Sequence, residues 1–176
     1  MAGSQLYIGT PNGIVLCLDD CGGGEFRGRL YHHYSAGPAV FSNIIQMLRL
    51  MEDLFDRLDF PREGANRRSF RDSISNSTKS GGKTRNFPNS EKEMRKVMSD
   101  NELLNQHGYQ ETFIVRVQYR QNSTWQGRIT WADQNKTLTF RSVWEMIHLM
   151  ESAMTEEMQP GEIPPTDCWD QTEKES

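Results

Sequence analysis

Apolar and polar residues alternate along 113–120, with Phe113, Val115, Val117 and Tyr119 on one side and Ile114, Arg116, Gln118 and Arg120 on the other. That period of two predicts a half-buried strand. Gln121-Asn122-Ser123 supplies a turn, and a second strand follows with Trp125, Gly127, Ile129 and Trp131 on one face and Gln126, Arg128 and Thr130 on the other. Asp133-Gln134-Asn135-Lys136 reads as another turn, into a short third strand from Thr137 to Phe140. From Arg141 to Met154 the period changes, and Val143, Ile147, Met150 and Met154 recur at helical spacing. The first part of the chain runs the same way. Ile14–Leu18 and Phe26–His33 are apolar strand segments, Ser35-Ala36-Gly37-Pro38 breaks the pattern, and a helix is predicted from about Ser42 to Leu58. Its stripe is Ile44, Leu48, Met51 and Phe55, and Ser42 is the expected N-cap.

The two patterns are one pattern repeated. Phe26–Glu52 aligns without a gap on Trp125–Glu151, 99 positions downstream. Identities fall at Gly28/Gly127, Arg29/Arg128, Phe41/Phe140, Met47/Met146, Leu50/Leu149, Met51/Met150 and Glu52/Glu151, seven of 27 positions. Roughly two are expected by chance between segments of average composition. Leu30/Ile129, Ile44/Val143, Leu48/Ile147 and Phe26/Trp125 are conservative matches in the same register. The expected fold is α+β: a duplicated strand–strand–strand–helix unit, two three-stranded antiparallel sheets each backed by one helix. A unit of that length buries little surface alone, so the copies are expected to pack as a pseudo-dimer, edge to edge or face to face through their helices. Gly28 and Gly127, facing inward in mid-strand, are assigned to close helix approach, and Phe41 and Phe140 to anchoring the helix starts.

Charge divides the chain further. Residues 62–96 hold ten Lys and Arg against four Asp and Glu, a local +6 within a net charge of −4, which leaves −10 for the remainder. The centre of that stretch, SISNSTKSGGKTRNFPNS, is rich in Ser, Asn and Gly, the composition of a disordered segment. The expected organisation is a first repeat over 1–58, a basic and largely disordered linker over 59–109 with a short helix within Glu91–Leu104, a second repeat over 110–156, and an acidic, Pro-containing tail over 157–176. The opening MAGSQLYIGTPNG has neither the basic nor the apolar region of a signal peptide. No run approaches the ~20 apolar residues of a membrane span. A cytoplasmic protein with no membrane partner is expected.

Candidate chemistry is sparse. Cys17, Cys21 and Cys168 form no CxxC pair and read as reduced thiols. Gly22-Gly23-Gly24 follows a strand but precedes another strand, which suits a hairpin turn and offers no helix N-terminus to a phosphate. His32 and His33 point to opposite faces of a strand, and His107 and His148 have no evident partner in sequence. No catalytic residue, metal ligand or cofactor motif emerges, and a non-enzymatic protein is expected.

One feature stands out. By alternation the outer face of the second sheet carries Arg116, Gln118, Arg120, Gln126, Arg128 and Thr130 without a carboxylate, and Arg and Gln are side chains that read phosphates and base edges. The corresponding face of the first copy holds Val15, Cys17, Asp19, Arg27, Arg29, Tyr31 and His33, a more apolar surface suited to a protein contact. The run WQGRITWADQNKTLTFRSVWEMIHLMESAM resembles, in pattern, the three-stranded-sheet-plus-helix DNA-binding domains of plant ethylene-response factors and of tyrosine-recombinase arm-binding modules. Trp125 at the start of a strand, Asp133 in the turn, and Phe140 and Ser142 at the helix start carry the likeness. It implies a sheet face entering a major groove. The helix lacks the basic, Ala-rich character of those families, and the first copy lacks the cationic face, so the likeness stays one of pattern.

The leading expectation is a binding or regulatory protein acting through protein contacts, with Arg27, Arg29 and Tyr31 on the partner face of the first copy. The alternative is a nucleic-acid-binding regulator using Arg116, Gln118, Arg120, Gln126, Arg128 and Thr130, aided by the basic linker. Small-ligand sensing between the copies, and an enzyme, rank lower.

Overall fold

The alternating segments become strands because each can lay one apolar row on a shared core. A computed structural model describes residues 6–62, 94–121 and 124–155. Strands β1 (Ile14–Asp20), β2 (Arg27–His32) and β3 (Ala39–Phe41) precede helix α1 (Ile44–Leu58). A short helix α2 (Asp100–Leu104) then leads to β4 (Glu111–Tyr119), β5 (Gln126–Trp131), β6 (Lys136–Phe140) and helix α3 (Val143–Thr155). The architecture is α+β, with one six-stranded sheet and three helices among the described residues.

The expectation of two three-stranded sheets is corrected. The strands form one continuous antiparallel sheet in the order β3-β2-β1-β4-β5-β6. β1 and β4 pair directly, which satisfies two edges that separate sheets would leave open. At that junction Val15 faces Ile114, a position 99 residues further on, and Ile14–Val115 and Leu16–Phe113 flank it symmetrically. Leu16–Leu30, Cys17–Arg29 and Leu18–Gly28 in β1–β2 recur as Val115–Ile129, Arg116–Arg128 and Val117–Gly127 in β4–β5. Even the irregularity at Leu18/Asp20 returns at Val117/Tyr119.

Both long helices lie on one face of the sheet, α1 against β2 and β3, α3 against β5 and β6. A single core joins Ile14, Leu16, Leu18, Leu30 and Phe41 to Phe113, Val115, Val117, Ile129 and Phe140, closed by Met47, Met51, Phe55, Met146 and Met150. The halves share this core directly, since Phe55 of α1 meets Trp125 edge-on at 5.3 Å between ring centroids. The α1 cap sits one residue later than expected. Asn43, not Ser42, accepts the Gln46 amide at 2.8 Å, while Ser42 donates to the Gln46 side chain. Ser142 plays the same part for α3, accepting the Glu145 amide at 3.1 Å.

The opposite face of the central strands is also covered. Ile8 from the first segment and Leu103 of α2 pack with Val15, Cys17, Tyr31 and Ile114 in a second cluster. Much of the expected linker is thus structural where it is described: α2 carries a capping box between Ser99 and Glu102, and the Val97 and Met98 amides both donate to the His33 carbonyl. The remaining linker (63–93) and residues 156–176, which include the whole tail, lie outside the described residues. No helix among the described residues is long and apolar enough to cross a membrane.

Candidate functional site

The six residues of the expected cationic face do not share a surface. Arg116 and Thr130 are buried at 8% and 3% exposure, and the Arg116 guanidinium donates to the Thr130 hydroxyl at 3.2 Å beneath the Tyr7 ring. Thr130 also bonds Thr137 on β6. Arg120 is on the other side of the sheet. The irregularity at Val117/Tyr119 breaks the alternation, so Arg120 turns to the helix face and donates to the Pro61 carbonyl (2.8 Å) and Asp56 (2.7 Å). Gln118 and Arg128 are exposed and Gln126 is half-buried. Among these six residues, the one exposed guanidinium that a phosphate backbone would meet is that of Arg128.

On the first half, Arg29 is held by Asp19 through two bonds of 2.7 and 2.8 Å, and donates further to the His107 carbonyl and the Tyr31 hydroxyl. The Arg29 guanidinium holds the Asp19 carboxyl below the usual carboxylate range. Arg27 is exposed and pairs with Asp20 at 3.1 Å. Tyr31 is buried in the second cluster, so the apolar surface expected to meet a partner is closed by the chain's own residues. Burial pushes the Cys17 thiol up to about 11, against the opposing pull of Arg29, which leaves it unreactive at neutral pH.

The structure opens a site elsewhere. Between α1 and β2–β3 lies a cleft of about 890 Å³ lined by Leu30, His32, Ala39, Leu50, Asp53, Asp56, Arg57 and Asp59. The matching place in the second half is lined by Ile129, Trp131, Leu138, Leu149 and Ser152, each 99 positions after Leu30, His32, Ala39, Leu50 and Asp53, and holds only about 50 Å³. Trp131 and Leu138 occupy what His32 and Ala39 leave open. The sequence carried a signal for this in the aligned positions where the two halves differ in size and charge. A search for shared residues passes over it.

His32 is 6% exposed, and its Nδ1 accepts the Tyr34 amide at 3.1 Å. Burial, with Arg57 and His33 adding positive charge nearby, pushes its pKa down to about 4. The ring is therefore neutral at pH 7, and with Nδ1 accepting, the proton sits on Nε2. The unfolded chain takes up this proton near pH 6.5 and the folded one only near pH 4, so stability holds above pH 6.5 and falls between those values on acidification. The ring edge opens on a cleft with Asp53, Asp56 and Asp59 at its rim, which trims the effect. The expected loss from pH 7 to pH 5 is about 1–2 kcal/mol. Urea denaturation at both pH values, on the native protein and His32→Gln, measures it. Equal losses in the two would refute the assignment.

Among the described residues no three His, Cys, Asp or Glu side chains are grouped to hold a metal ion. Comparison with protein-family models, with curated proteins and with solved structures finds no match for this chain.

Proposed function

We propose that this chain is a non-enzymatic binding module that acts through protein contacts at the two open ends of its sheet. The observation that carries the reading is the exposure of Ile45 (63%) and Trp144 (74%), which occupy corresponding positions at the starts of α1 and α3. Each stands next to a strand that, among the described residues, pairs on one side only, β3 with exposed Val40 and β6 with exposed Leu138. A large exposed aromatic beside a five-residue strand with one open edge offers main-chain hydrogen bonds for affinity and an apolar anchor for selectivity, the requirements for adding a strand from another protein. β6 is the stronger end, because β3 spans three residues and follows Pro38.

The nucleic-acid alternative has less to support it, since Arg116, Thr130 and Arg120 are engaged inside the fold. The recurrence of every β1–β2 register pair in β4–β5 at a spacing of 99 supports a duplicated βββα unit descended from a two-fold dimer, with two ends that have diverged.

The test replaces Trp144, and separately Val97, with a photo-crosslinking phenylalanine derivative in the full chain in its native cells. A discrete adduct with another protein is expected from position 144 and none from the exposed Val97. Trp144→Glu should lower recovery of that partner at least tenfold while shifting stability by no more than about 0.5 kcal/mol. Adducts of the same kind from both positions, or recovery unchanged by Trp144→Glu, would refute the reading. So would a crosslink only to a second copy of this chain.

A further inference from the structure

The cleft beside α1 combines three groups that a packed core would not leave together. The first is His32 Nε2–H. The ring is 6% exposed, Nδ1 is taken by the Tyr34 amide, and Nε2 meets no acceptor among the described residues while lining the cleft. Nε2 faces the open cleft and is free to donate to a bound acceptor. The second is Asp53. Asp56 is engaged by Arg120 and Asp59 by Arg62, but the Asp53 carboxylate forms no ion pair with a described residue. It lies in the C-terminal half of α1, at an exposed position. The third is an apolar wall of Leu30, Ala39 and Leu50 between them.

These demands define a ligand. Of the three carboxylates lining the cleft, Asp53 alone is without an ion pair among the described residues, so it is the group that meets a cationic ligand, and a neutral acceptor for His32 places no anion beside it. We propose that the first-half cleft binds a primary ammonium group next to a neutral carbonyl on a small apolar body, the chemistry of an uncapped N-terminal residue or of an amino-acid amide. The ammonium meets Asp53, the carbonyl oxygen accepts from His32 Nε2–H, and the side chain rests on Leu30, Ala39 and Leu50. The second half has lost the site: Trp131 fills it, Leu138 narrows it, and Ser152 stands where the carboxylate would be. This is a site distinct from the sheet-edge contact proposed above, and it stands or falls separately.

The experiment uses the full chain with nitrogen-15-labelled histidine, whose four residues give separable ring signals by NMR. Probes are L-leucinamide, the tetrapeptide Leu-Ala-Ala-Ala, L-leucine and N-acetyl-L-leucinamide, each up to about 10 mM, a range that reports the weak affinities of ligands this small. Leucinamide or the tetrapeptide is expected to shift the His32 Nε2 signal saturably, while His107 and His148 stay still. The acetylated compound, without the cation, and leucine, with a second charge, should bind at least tenfold more weakly. Asp53→Asn, at an exposed position, should lower affinity at least tenfold with the His32 signal of the free protein unchanged. Tighter binding of the tetrapeptide assigns the site to a peptide N-terminus, and tighter binding of leucinamide to a free amino-acid derivative. No His32 shift with any amine, equal binding of the acetylated compound, or an indifferent Asp53→Asn variant overturns the proposal.

Discussion

Gly127→Val is expected to cost about 4 kcal/mol or more, enough to leave little folded protein in a domain of ordinary stability. A Cβ at Gly127 would stand 2.1 Å from the Arg116 carbonyl oxygen and 2.9 Å from the Val117 Cα, both backbone atoms of the neighbouring strand. Neither can move without breaking the ladder between β4 and β5 at its irregular point. The same holds at Gly28, whose Cβ would fall 2.0 Å from the Cys17 carbonyl. The shared glycine therefore serves strand-to-strand contact. The close helix approach expected from sequence is not what it makes room for. Gly37, with nothing within 4 Å of a built Cβ, is the control, and its change to alanine should stay within about 0.5 kcal/mol. Thermal and urea unfolding of the variants decide the matter. A Gly127→Val protein that melts like the native one would show that the sheet absorbs the side chain.

Arg120→Ala is expected to cost about 2 kcal/mol, from a charge-assisted bond to a half-exposed Asp56, a bond to the buried Pro61 carbonyl and the packing of the arginine stem. Arg120 is 5% exposed, reaches from the end of β4 to the Pro61 carbonyl and to Asp56, and lies 5.7 Å from the Phe55 ring. It ties the last strand of one half's central pair to the helix of the other. The position 99 residues earlier is Cys21, so the tie exists on one side of the molecule only. A double-mutant cycle with Asp56→Ala separates the ion pair from the carbonyl bond and should return a coupling of about 1 kcal/mol or more. A loss below about 0.5 kcal/mol in Arg120→Ala would mean that the β1–β4 pairing and the shared core supply the join without it.

The burial of Arg120 and Arg116 marks where reading by alternation fails. Period two assigns every second residue to one face only while the ladder is regular, and one irregularity between Val117 and Tyr119 sends Arg120 to the opposite side. Arg116 does keep its assigned face. It is buried because Tyr7 from the first segment lies over it, a contact between residues more than a hundred positions apart. Alternation also places Tyr31 and Cys17 on an outer surface, and Ile8 and Leu103 cover them there. The cleft was invisible because its residues come from β2, β3 and the far end of α1. None of them forms a motif, and His32 acquires its depressed pKa only by being enclosed.

What the sequence determined by itself was local and periodic: the strand and helix segments, the matched apolar rows, and the 99-residue correspondence that recurs in the register of both halves. These follow from side-chain spacing and turn chemistry, which act over a few residues. Tertiary structure decided how the halves join, which face of the sheet each flank covers, and where space is left over. Those outcomes depend on strand edges finding each other and on volumes matching across the core, and so on residues far apart in the chain. One pair of substitutions within a shared pattern, His32 and Ala39 against Trp131 and Leu138, leaves an open cleft in one half and a filled core in the other.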